Sequence, residues 1–278
     1  MYKTILVHCN DKRRIRALIA PAVDLAESSE AHLHALSVVP PMAVISGGAE
    51  SPPVLVDEHC QLYREENPAM RAAFDDAVRG PGLVAEWQDG DAGALGVADC
   101  VVPYARSADL VIASQTDPAW PGSNCLDIAD RLVLESGRPV LIVPNAGVHA
   151  RVGGKVLVAW NGRREAARAV FDALPILRRA KDVKVVWVNP QSESDVASDV
   201  PAADICTALA RHRVRCEATE QLRPGIGVGE TLLASAKDFG ADLLIMGCYG
   251  HSRLREFVFG GASRHVLQNM SIPVLMSH

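Results

Sequence analysis

Short apolar runs alternate along this chain with amphipathic stretches. Residues 4–8 are short, β-branched and apolar, as a strand buried on both faces is. Residues 15–27 then carry Ile15, Leu18, Ile19, Val23, Leu25 and Ala26 at helical spacing. The alternation continues with strands predicted at 31–39, 83–88, 108–113 and 139–143. Helices are predicted at 58–79, 91–106 and 127–135. The stretch 42–56 holds two glycines and two prolines, has no period, and reads as a surface loop. Successive strands joined through helices need crossovers, so this order predicts a parallel sheet with helices on both faces.

The pattern then restarts. Residues 155–161 resemble residues 4–10, and a second series follows. It reads as a helix at 163–179 that Pro175 kinks or stops, a strand at 183–188, a helix at 202–212 and a strand at 214–221. A helix at 229–239, a strand at 241–247, a helix at 262–270 and a strand at 272–276 complete it. Residues 241–247 match 108–114 nearly position for position, and 272–276 match 138–142. An internal duplication follows, with domains at 1–147 and 153–278 and a glycine-rich junction between them.

One stretch stands out chemically. Gly247 and Gly250 follow a buried strand, and Gly260 and Gly261 open a helix, with a basic and polar linker between the pairs. Glycine lets a backbone amide approach an anion, and a helix start adds unpaired N–H groups and partial positive charge. The competing reading is a tight turn with close helix–sheet packing. The duplication bears on this choice. Ser114 and Asp117 stand where the second half has Gly247 and Gly250, and the loop continues with two prolines. The fold position itself therefore does not demand glycine, and the first half is not expected to bind a triphosphate in this mode.

Composition narrows the function classes. Of 278 residues, 49% are apolar, enough for full cores, and the net charge of −5 argues against a nucleic-acid partner. No apolar run reaches membrane-span length, and the N-terminus enters a strand pattern directly, so a cytoplasmic protein without membrane contact is expected. Seven cysteines with no CxxC argue against a disulfide framework. Cys248 and His251 alone do not make a metal site. No Walker A sequence and no nucleophile elbow are present, and no catalytic residue is assigned.

A strand ending Asp-Leu-Leu-Ile-Met-Gly, then GxxG, nine residues and a glycine pair, is similar to the universal stress protein family. The resemblance covers the chain as two tandem copies of a bacterial type. It implies two doubly wound α/β domains, each a five-stranded parallel sheet in the order 3-2-1-4-5 with helices on both faces. It also implies an adenine nucleotide, ATP foremost, with Mg2+ as its candidate counter-ion. Ala159, Trp160, Asn161 and Val188 would then meet adenine and ribose. Gly247, Gly250, His251, Ser252 and Arg253 would line the phosphates, Gly260, Gly261, Ala262 and Ser263 would donate at the helix start, and Met246 would also belong to the cofactor site. Asn161 stands where the family often has aspartate, and Gly261 where it has Ser or Thr. The resemblance further implies pairing of the two fifth strands into an intramolecular pseudo-dimer, with a homodimer and an unidentified protein partner as further candidates. The expected function is a nucleotide-binding stress sensor or regulator. The alternatives are a slow ATPase, or a dimeric scaffold with a small-ligand pocket in the N-terminal domain.

Overall fold

Apolar runs too short for helices become strands because a strand buried on both faces needs only a few residues to span the core. β1 (Thr4–His8), β2 (His32–Val39) and β4 (Leu110–Ser114) form in this way, while β3 (Ala85–Asp91) is a polar, half-exposed strand parallel to β2. Between them run α1 (Ile15–Ser29), α2 (Pro53–Ala77) and α3 (Val97–Ala105), and after β4 come α4 (Ser123–Leu126) and α5 (Ala129–Glu135). These coordinates are a computed structural model, which describes residues 1–40, 53–80, 82–93, 95–120, 122–188, 202–223, 225–248 and 261–278.

The chain divides into two compact units, Tyr2–Arg138 and Pro139–His278. In the first unit the strands are ordered β3-β2-β1-β4 and are parallel. Ile5, Leu33, Leu110 and Ile112 are fully buried in its core. His32 and His34 alternate along β2 and both approach Glu86, at 3.9 and 3.7 Å, so they share one sheet face as their spacing predicts.

The second unit contains β5 (Val140–Val143), β6 (Lys155–Ala159), β7 (Asp182–Val188), β8 (Glu217–Gln221), β9 (Leu243–Gly247) and β10 (Val274–Ser277). Its helices are α6 (Arg164–Asp172), α7 (Leu174–Leu177), α8 (Ala202–Arg211), α9 (Val228–Phe239) and α10 (Gly261–Asn269). Pro175 does stop the long helix predicted there, and it sits in the first turn of α7, where its missing N–H costs nothing.

Two separate five-stranded sheets are not what forms. The second unit's order is β5-β10-β9-β6-β7-β8, with β5 antiparallel to β10 and the rest parallel. The physical reason is the edge: without β5, the outer N–H and C=O groups of β10 would lack strand partners. Several element bounds also differ, three of them for visible local reasons. α2 begins at Pro53, inside the stretch read as loop. Asp91 continues β3 and binds the Gly93 N–H at 2.9 Å, so α3 starts later, at Val97. β8 is shorter than predicted because Arg213 takes a left-handed φ of 66° in the turn after α8.

The repeated Ala-Asp-Leu has a structural cause. Asp109 Oδ2 accepts from the Lys3 and Thr4 amides at 2.6 and 3.0 Å. In the second unit Asp242 accepts from Gly153, Gly154 and Lys155 at 2.9, 2.9 and 3.1 Å. Each carboxylate satisfies the otherwise unpaired amides where the unit's central strand begins.

Candidate functional site

In each unit the strand order reverses between the first and fourth strands of the repeat, the place where a doubly wound sheet characteristically leaves a crevice at its carboxyl ends. In the second unit these strands are β6 and β9. Their register pairs Val158 with Ile245, so Ala159 and Met246 come next to each other at the strand ends. On the other side of β6, Ala159 pairs with Val186, and Val188 ends β7 two residues beyond. The structure therefore brings together Ala159, Trp160, Asn161, Val188, Met246 and Gly247. Gly250, His251, Ser252, Arg253 and Gly260 lie outside the described residues.

The individual side chains sharpen the picture. Trp160 is buried, its N–H donates to Val186 O at 2.9 Å, and its indole Nε1 is buried with no hydrogen-bond partner among the described residues. Such a donor carries a free-energy cost that an acceptor from a bound molecule would remove. Asn161 is exposed, but its side-chain oxygen accepts from the Arg163 N–H at 3.1 Å in a local turn that leads into α6. Gly247 lies under the start of α6. A Cβ there would sit 2.4 Å from both Ala166 N and Glu165 C. Close packing of strand against helix thus suffices to require this glycine.

Gly261 is different. It is exposed, it begins α10, and a Cβ there would have nothing within 4 Å among the described residues. Ala262 is half-buried, and Ser263 is buried rather than turned to solvent. The first turn of α10 is braced by α9: a Cβ on Gly229 would come within 2.8 Å of Ala262 O and 2.9 Å of His265 Cβ. Sequence reasoning missed Glu165. Burial, the largest single influence, would raise its pKa, but the Arg164 hydrogen bond, a backbone hydrogen bond and neighbouring positive charge together outweigh it and hold the carboxyl below its ordinary range. The signal was available as an acidic residue in the first turn of α6.

The same position in the first unit is filled. Asp127, thirteen residues after Ser114 as Gly260 is after Gly247, turns a fully buried carboxylate into the crevice. Oδ1 accepts from Asn10 Nδ2 at 2.8 Å and Ser114 Oγ at 3.1 Å. Oδ2 accepts from Ser123 Oγ at 2.7 Å and the Asp117 N–H at 2.8 Å. The Arg14 guanidinium lies 3.8 Å from Oδ1 and donates to Gln115 O at 2.7 Å. Trp120 covers Arg13 and Arg14 at 5.3 and 6.0 Å from its ring centroid. Hydroxyls, an amide N–H and an arginine around one anion is what a phosphate seat offers, and here the anion belongs to the chain. The equal spacing was the sequence signal for Asp127, which the helical pattern of 127–135 obscured.

Among the described residues, no cluster of three or more His, Cys, Asp or Glu is placed to hold a metal. No helix among them is long and apolar enough to cross a membrane.

These features define a doubly wound α/β protein with one crevice closed by its own carboxylate and one edged by glycine. Residues 154–278 match the model of the Universal stress protein family. Over 150 residues the chain is 29% identical to Universal stress protein Slr1230 of Synechocystis sp. (strain ATCC 27184 / PCC 6803 / Kazusa), a match taking in 52% of this chain and 49% of that protein. The chain thus spans about half the length of that curated relative. A solved universal stress protein from Archaeoglobus fulgidus DSM 4304 superposes with a TM-score of 0.70 at 14% identity, covering 99% of this chain and 95% of that one. A functionally unknown protein from Pseudomonas aeruginosa PAO1, PA1789, does so with a TM-score of 0.55 at 16% identity, covering 99% and 92%. At these identities the two structures establish the fold.

Proposed function

We propose that this chain is a tandem universal stress protein whose second half binds an adenine nucleotide, ATP first among them, and acts as a nucleotide-dependent regulator in a stress response. The family match over 154–278 supports the assignment of that half. The observation that carries the nucleotide reading is the asymmetry of the two crevices. One is filled by the Asp127 carboxylate; among the described residues the other offers Gly261 at the start of α10, with no atom near its Cβ position, and the Trp160 indole N–H without a partner. The amides of Gly261 and Ala262 would hold a phosphate, and Mg2+ would share its charge. Ala159, Trp160 and Val188 would receive the base. Asn161, whose oxygen is already engaged, would contribute its amide NH2.

Two substitutions separate fold from function in the full-length chain. Gly261→Val meets no described atom within 4 Å of its Cβ, so unfolding free energy is expected to change by no more than about 0.5 kcal/mol. ATP affinity, measured by titration calorimetry, is expected to fall at least tenfold, about 1.4 kcal/mol. Gly247→Ala instead drives a methyl into the backbone of α6 and should cost about 1–3 kcal/mol of stability. Wild-type protein that binds no ATP, or unchanged affinity in Gly261→Val, would overturn the reading.

A further inference from the structure

Away from the crevice, the second unit brings two cysteines together. Cys206 lies on α8 and Cys216 immediately precedes β8. The chain reverses sharply between them: the His212 and Val214 amides donate to Leu209 O at 2.9 and 3.1 Å, with Arg213 in the left-handed conformation. This turn folds β8's entry back onto the helix. Cys206 and Cys216 consequently line one cleft of about 580 Å³, together with Ala210, Arg213, Val214 and Arg215. Both are half-buried on the wall of this cleft.

We propose that Cys206 and Cys216 form a reversible disulfide, a modification site oxidised by anionic low-molecular-weight disulfides of the glutathione class. Two arginines on the cleft wall favour an anionic oxidant over a neutral one. The Cys206 thiolate attacks one sulfur of the disulfide and expels a thiolate, leaving a mixed disulfide on Cys206. Cys216 then loses its proton to solvent, attacks Cys206 Sγ and expels the second thiolate. One small disulfide is reduced to two thiols, and one protein dithiol is oxidised to a disulfide. The order follows from the surroundings. Burial, the largest influence, pushes the Cys216 thiol up to about 12, which makes it a poor first nucleophile.

The other described cysteines offer no such arrangement. Cys9 and Cys248 are fully buried. Burial raises the Cys100 thiol, and the Asp99 and Asp91 carboxylates raise it further.

The test treats the reduced full-length chain with oxidised glutathione, blocks the remaining thiols by alkylation, and maps peptides by mass spectrometry. In wild type, a 206–216 cross-linked peptide and the loss of two titratable thiols are expected, with no retained glutathionyl group in that region. Cys216→Ser, a nearly isosteric change, should stop at the mixed disulfide on Cys206 and accumulate it at least tenfold over wild type. Dithiothreitol should restore both thiols. A stable mixed disulfide in wild type, cross-links from Cys206 to other cysteines only, or two unreactive thiols would each overturn the proposal. The wild-type peptide map stands even if a variant fails to fold.

Discussion

Asp127→Ala is expected to destabilise the first unit by about 3–5 kcal/mol, the range for breaking a buried ion pair from one side. The Asp127 side chain has no solvent exposure and that of Arg14 only 11%, so water cannot replace what is lost. Truncation strips an acceptor from Ser114 Oγ, Ser123 Oγ and the Asp117 N–H, one of three from Asn10 Nδ2, and takes from Arg14 its strongest carboxylate neighbour. Burial already lowers the Arg14 pKa, and Asp127 is the largest influence opposing it. Asp127→Asn keeps one acceptor oxygen and should fall between wild type and alanine. Hydrogen exchange resolves the effect by unit: protection should drop across Tyr2–Arg138. A loss under about 1 kcal/mol, the worth of one ordinary hydrogen bond, would refute the network's role.

Acidification should find a second weak point in the same unit, at His8. This side chain is 1% exposed and its Nε2 is buried without a partner among the described residues. Burial lowers its pKa from 6.5 to about 4. A histidine depressed in the folded state favours the neutral form there, so its contribution is present in full above about pH 6.5 and is lost as pH falls toward 4. At 1.36 kcal/mol per unit the swing is about 3 kcal/mol. The measurement is the slope of unfolding free energy against pH between 7 and 4.5, in wild type and in His8→Gln. Carboxylates act in both proteins alike, so a shallower slope in the variant isolates the histidine. Equal slopes would show that His8 becomes charged without cost.

Most of the fold was legible because its signals are local. Strands such as β4 and β9 are short, apolar and repeated, and Pro175 marks its own helix boundary. What sequence could not show depends on partners distant in the chain. The sixth strand of the second unit is set by pairing between residues 140–142 and 274–276. Gly247 reads equally as phosphate cradle or packing glycine until α6 is seen crossing it. Asn161 keeps its residue type but spends its oxygen on Arg163, and only geometry reveals that. Asp127 lay inside a helical pattern, although its carboxylate serves the ends of β1 and β4. Local propensity thus specified the scaffold, and long-range contacts decided what each crevice could accept.

The antiparallel pairing of β5 with β10 also imposes an order on synthesis. β5 leaves the ribosome roughly 10 s before its partner, at ordinary elongation rates. During that interval no register with β10 can form, and the second unit's sheet lacks its outermost hydrogen bonds. Slow closure of this kind exposes an apolar strand to other nascent chains. A chain begun after residue 143 would never make the pairing and would keep β10 as an open edge, a template for a second molecule.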